Sequence, residues 1–142
     1  MDDNIKVLNE IHQGLVIGLD SISSVSTNVS DNDFRKVLKS QYEEYNTILN
    51  KVNSEFAKHG ENPKDVESGE KIKSYMNTKI STLKDKSTSN ISDVLIKGNL
   101  IGVVTGRRLL NENKNISFEV KSILKDFIIK PENDIEKLKE WL

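Results

Sequence analysis

Gln13-Gly14-Leu15-Val16-Ile17-Gly18 returns as Lys97-Gly98-Asn99-Leu100-Ile101-Gly102, 84 residues further on, and each copy sits in a run with helical apolar spacing. Glycine inside a helix costs ~1 kcal/mol relative to alanine, so helices that carry it twice at one-turn spacing have a use for the missing side chains. A Gly-x-x-x-Gly spacing places both glycines on one helix face, where another backbone can approach. The expectation is that two long helices cross closely at Gly14, Gly18, Gly98 and Gly102, which are therefore the predicted helix-packing residues. The pattern speaks to architecture and carries no chemistry.

Outward from the first copy, Ile5, Leu8, Ile11, His12, Leu15, Leu19 and Ile22 keep the three-and-four spacing of a buried helical stripe, which predicts a helix over about 3–27. Ser30 to Asp33 supply N-cap candidates for a second helix. Its stripe is Phe34, Leu38, Gln41, Tyr45, Ile48, Val52 and Phe56, and Gly60 and Pro63 end it. The short connection makes this pair an antiparallel hairpin. A third helix opened by Asp65 has a thin stripe (Ile72, Tyr75 or Met76, Ile80, Leu83) and reads as peripheral. Ser87 to Asn90 form a turn whose last residue caps a fourth helix bearing Ile91, Val94, Leu95, Ile101, Val104 and Leu109 around its glycines. A fifth helix follows Asn115. It carries Phe118, Leu124, Phe127, Ile128, Ile135, Leu138, Trp141 and Leu142 on its buried side, with an interruption or kink expected at Pro131. No alternating strand pattern competes, so the chain reads as all-α and as one domain over 1–142.

Superposing Gly14 on Gly98 aligns the first helix with the fourth. A shift of 90 then matches Phe34, Leu38, Tyr45, Ile48 and Val52 with Leu124, Ile128, Ile135, Leu138 and Leu142. The chain therefore reads as an internal repeat of two helix hairpins, with the third helix as the crossover between them, the topology of ferritin-like four-helix bundles. The two glycine runs and the closing Asp134-Ile135-Glu136-Lys137-Leu138-Lys139 resemble the pattern of a group of uncharacterised bacterial ferritin-like proteins over nearly the whole chain. That resemblance implies the bundle fold and no known activity. Lys97, where the group repeats its glutamine, and Pro131, within a usually acidic helical stretch, depart from the pattern.

Composition narrows the function further. With 21 basic and 22 acidic side chains interspersed, no segment gathers the positive charge of a nucleic-acid or anionic-membrane footprint. Zero cysteines exclude disulfides, Cys-ligated zinc, iron-sulfur clusters and thiol chemistry. An acidic start, Met1-Asp2-Asp3-Asn4, and apolar runs shorter than the ~20 residues of a membrane span predict a cytoplasmic protein.

A di-iron centre of ferritin type needs a carboxylate from each of two helices and Glu-x-x-His from the other two, and neither Glu-x-x-His is present. His59, beside Gly60 at a helix end, reads as a solvated cap residue; Arg107-Arg108 read as complements to a helix C-terminus. His12 falls on an apolar stripe near Glu10, Gln13, Gln41, Glu44 and Tyr45, which predicts a buried hydrogen-bonded cluster, with a degenerate metal site or a small-ligand site as the alternatives. Nothing orders serine, histidine and aspartate into a nucleophile with its base, and no phosphate loop occurs. The leading reading is a non-enzymatic ferritin-like bundle with no cofactor, acting as a homo-oligomer or through a protein partner. The alternative is a redox or storage protein holding a transition metal (iron, manganese or zinc) on Glu10, His12 and Glu44, with Glu132 or Asp134 completing the set.

Overall fold

Residues 2–142 are described by a computed structural model, and they form five helices: α1 (Asp3–Ser26), α2 (Asn32–Lys58), α3 (Glu67–Ser81), α4 (Thr88–Glu112) and α5 (Phe118–Lys139). The protein is all-α, with no strand among the described residues. Four helix starts are closed by a side-chain oxygen just ahead of the first turn. Asp2 accepts from the Asn4 N–H, Asp31 from Phe34, Ser87 from Asn90 and Ser117 from Val120. Each satisfies a backbone donor that the helix itself cannot. The cap of α4 is thus Ser87, not the expected Asn90. α3 is the exception, since it begins after Val66, which offers no capping side chain, and not at the expected Asp65.

α1 is the hub and packs against all four other helices; α4 and α5 form the most extensive pair, α5 also meets α2, and α3 lies on α1 and α4. The main core is drawn from α1, α2, α4 and α5, with Phe34, Phe56, Leu8, Ile11, Leu15 and Leu124 among its fully buried members. A smaller core joins Ile17 of α1, Met76 of α3 and Val94 of α4. α3 buries only Gly69 and Met76, in keeping with its thin stripe.

Polar side chains of α1, with Asn9 and Gln13 buried and Asn4 half-buried, tie down the connections. Asn9 Oδ1 accepts from the Lys64 N–H (2.9 Å), Gln13 Oε1 from the Val66 N–H (2.8 Å) and Asn4 Oδ1 from the Ser117 N–H (2.8 Å). Gln13 Nε2 then donates to Glu70 Oε1 at 3.0 Å, so α1 supplies the anchoring that the uncapped start of α3 lacks.

Several expectations are corrected. α5 runs through Pro131 without a break, because only one backbone hydrogen bond is forgone and burial of the ring offsets that loss. Val104 and Phe118 are exposed, at 52% and 84%: α4 has no helix over that turn, and Phe118 is the first residue after its cap and points outward. The internal repeat fails at its last pair, where Val52 is fully buried and Leu142 is 60% exposed. The glycines do not meet backbone to backbone. A Cβ at Gly14 would lie 2.7 Å from Phe127 Cζ of α5, and one at Gly98 would lie 2.8 Å from Met76 Cε of α3. The space left by the missing side chains is filled by side chains of third helices.

Candidate functional site

Gly14 and Gly18 of α1 and Gly98 and Gly102 of α4 nonetheless face one place, a partly open cavity of about 80 Å³ lined by residues of all five helices. Its walls are mainly apolar, built from Ile17, Ile22, Ile72, Met76, Leu95 and Phe127. The polar groups on its wall are few and mostly engaged. Ser21 Oγ donates to the Ile17 carbonyl at 2.7 Å, and the Tyr45 hydroxyl donates to Asn99 Oδ1 at 2.9 Å. Gln41 differs: its side chain is 2% exposed and its amide nitrogen has no hydrogen-bonding partner. The cavity adjoins a surface groove of about 720 Å³ along α4, and Glu10, Ser68, Ile72, Ile101 and Thr105 border both. Ser68 Oγ donates to Glu10 Oε1 (3.1 Å) where the two spaces meet.

Behind Tyr45 lies a buried charge cluster. The Lys130 ammonium of α5 contacts Asp134 Oδ1 one turn on, lies 2.9 Å from Glu44 Oε2 of α2 and sits 5.5 Å from the centroid of the Tyr45 ring. Asp134 is completely buried, and its second oxygen, Oδ2, has no partner. Burial pushes the Asp134 carboxyl above its ordinary value, outweighing the hydrogen bond and charge of Lys130. At Glu44 burial acts in the same upward direction but is overcome by Lys130, with help from Ser40 and Lys137, so this carboxyl is held below its ordinary value. The Tyr45 phenol is pushed up, first by burial and then by the charges of Asp134 and Glu44.

The proposed metal ligands are not brought together. Glu10 accepts from Ser68 at the groove, His12 sets its ring edge-on to Phe56 (centroids 6.2 Å apart), and Glu44 is joined to Lys130. Glu132 pairs with Arg107 across α4 and α5 at 3.5 Å. Among the described residues no group of three histidine, aspartate or glutamate side chains is placed to hold a metal ion. The cation between carboxylates of α2 and α5 is the Lys130 ammonium itself. His12 is half-buried in an aromatic contact instead of the expected hydrogen-bonded cluster, and burial lowers its pKa against the pull of Asp65. His59 closes α2 as its C-cap, 3.8 Å from Glu55.

Lys130 is the residue that sequence reasoning missed, and Gln13, expected in a cluster with His12, instead bonds to Val66 and Glu70. Lys130 had a usable signal, since it falls between Phe127 and Asp134 at helical spacing and so lies on the buried stripe of α5. Gln13 had none, because its partners Val66 and Glu70 lie more than fifty residues away.

No family model matches the chain, and no curated protein matches it by sequence. A solved structure, the crystal structure of a DUF305 fragment from Deinococcus radiodurans, is similar with a TM-score of 0.80 at 11% sequence identity. The match covers 99% of this chain and 95% of that chain. At this identity the likeness is one of fold. No helix among the described residues is long and apolar enough to cross a membrane.

Proposed function

We propose that this chain is a non-enzymatic helical-bundle protein of the ferritin-like class that acts by self-association through the open face of α4. The observation that carries this reading is the pair Leu100 and Val104, one helical turn apart and each about half exposed, in the groove that Ile72 and Ile101 also line. Apolar side chains adjacent on an exposed helix face are those a second copy would cover. The groove rim carries both signs of charge, Glu67 and Glu112 with Lys71 and Arg108, so a second identical face is not met by uniform repulsion. The ferritin-like assignment is supported by the order of the chain, two long hairpins with α3 between them.

Sedimentation velocity over a range of concentrations tests the reading. The natural protein should show a concentration-dependent oligomer, and the Leu100→Glu, Val104→Lys double variant should be monomeric with unchanged helical content. A natural protein that stays monomeric throughout overturns it. Elemental analysis of untagged protein should find no stoichiometric transition metal; finding one would favour the storage alternative.

A further inference from the structure

Of the six helical glycines, four have an evident packing reason. An added Cβ would run into Phe127 at Gly14, the Gln13 amide at Gly69, Met76 at Gly98 and, at 2.5 Å, Ile128 Cγ1 at Gly106. Gly18 and Gly102 have none. A Cβ there would meet Tyr45 at 3.8 Å and Pro131 at 4.0 Å, ordinary van der Waals distances at which alanine fits. Alanine would also favour the helix by ~1 kcal/mol at each position. What the two share is the cavity they line, where two methyl groups would take up much of the space.

The second observation is Gln41. Its side chain lines that cavity, and its buried amide nitrogen is unpartnered. Water is a poorer answer, because a buried water needs about two to four polar partners, and this wall is mainly apolar, with the Ser21 and Tyr45 hydroxyls left only as acceptors after donating to Ile17 and Asn99. We infer that the cavity is a binding site for a small neutral organic molecule with an apolar body and one hydrogen-bonding oxygen, kept open by Gly18 and Gly102 and recognised by the Gln41 amide. The lining contains no basic side chain and carries the Glu10 carboxylate at its edge, which disfavours an anion, and the unpartnered Gln41 donor calls for an acceptor oxygen where an ammonium offers none. Size follows from the volume. A cavity of ~150 Å³ accepts the six carbons of benzene, so one of about 80 Å³ suits roughly three or four non-hydrogen atoms. The groove bordered by Glu10 and Ser68 is the route in. A second copy seated on that groove would cover the route, so ligand entry and self-association through α4 compete, and the test reads the two separately.

Amide NMR spectra of the full chain, titrated with acetone, ethanol and acetate, test the inference. The ketone and the alcohol should shift the Gly14, Gly18, Gly98 and Gly102 resonances saturably, and acetate should not. The Gly18→Ala, Gly102→Ala double variant should keep or raise its melting temperature and lose saturable binding. Gln41→Met, which keeps the volume and removes the amide, should weaken the ketone by about three- to tenfold, the loss of one hydrogen bond. Absence of saturable shifts in the natural protein overturns the inference. So does undiminished binding in the folded double alanine variant, and so does acetate binding as tightly as the ketone. Sedimentation of the same samples shows whether any shift follows oligomerisation instead of ligand.

Discussion

Lys130→Met removes the ammonium that the carboxylates of α2 and α5 share while keeping most of the side-chain volume. Glu44 is exposed enough to be rehydrated, but Asp134 is completely buried and already has one unpartnered oxygen. Without Lys130, burial acts on Asp134 against little opposition, and the carboxyl takes up a proton. Keeping a carboxyl of ordinary value 3.8 protonated at pH 7 costs about 4.4 kcal/mol, at ~1.36 kcal/mol for each pH unit between them. Breaking a buried ion pair from one side costs ~3–5 kcal/mol by comparison with other proteins, in agreement. The sign with pH follows. The folded variant holds a proton that the unfolded chain releases above pH 3.8, so its stability falls as pH rises and its deficit shrinks toward acid. Urea denaturation at pH 7 should give a loss of about 3–4 kcal/mol, most of it regained near pH 4. Lys130→Met with Asp134→Leu, which removes both charges, should recover much of the loss at pH 7. A loss under about 1 kcal/mol, or one independent of pH, would refute the reasoning, because it would mean that water reaches Asp134.

Two further outcomes follow from the packing. Gln13→Leu should leave the Val66 N–H without its acceptor and release the start of α3, costing about 1–3 kcal/mol. Amide exchange at residues 66–70 should accelerate while α2 stays protected, and unchanged exchange would show that Gln13 does not anchor the helix. At the other end of the fold, Trp141 is half-buried with its ring 5.0 Å from that of the fully buried Phe34, while Leu142 is exposed. Trp141→Ala should therefore cost about 2–3 kcal/mol and Leu142→Ala within about 0.5 kcal/mol. Equal effects in thermal melts would contradict the docking of Trp141.

Read along the chain, α2 was fully legible. Every residue of its expected stripe, from Phe34 to Phe56, is buried, because the helix has one covered face and one wet face and periodicity reports that division directly. α1 was legible as a helix but not as the hub. Val7, Asn9, Gln13 and Ile17 lie off its expected stripe and are buried because α3, α4 and α5 cover a second face. The glycine repeat marked Gly14, Gly18, Gly98 and Gly102 as belonging together, and they do line one cavity; that side chains of α2, α3 and α5 approach them, and not each other's backbones, depends on where distant helices lie. Exposure of Leu100 and Val104 is of the same kind, since an apolar spacing shows that a face exists and not what covers it. The sequence by itself determined the helices and the all-α class, which rest on interactions within a few residues, while of the N-caps only Asp31 lay among the expected candidates. Only the tertiary structure decided the cavity, the Lys130 cluster and the separation of Glu10, His12 and Glu44, because burial and charge pairing depend on neighbours that chain folding brings from far away.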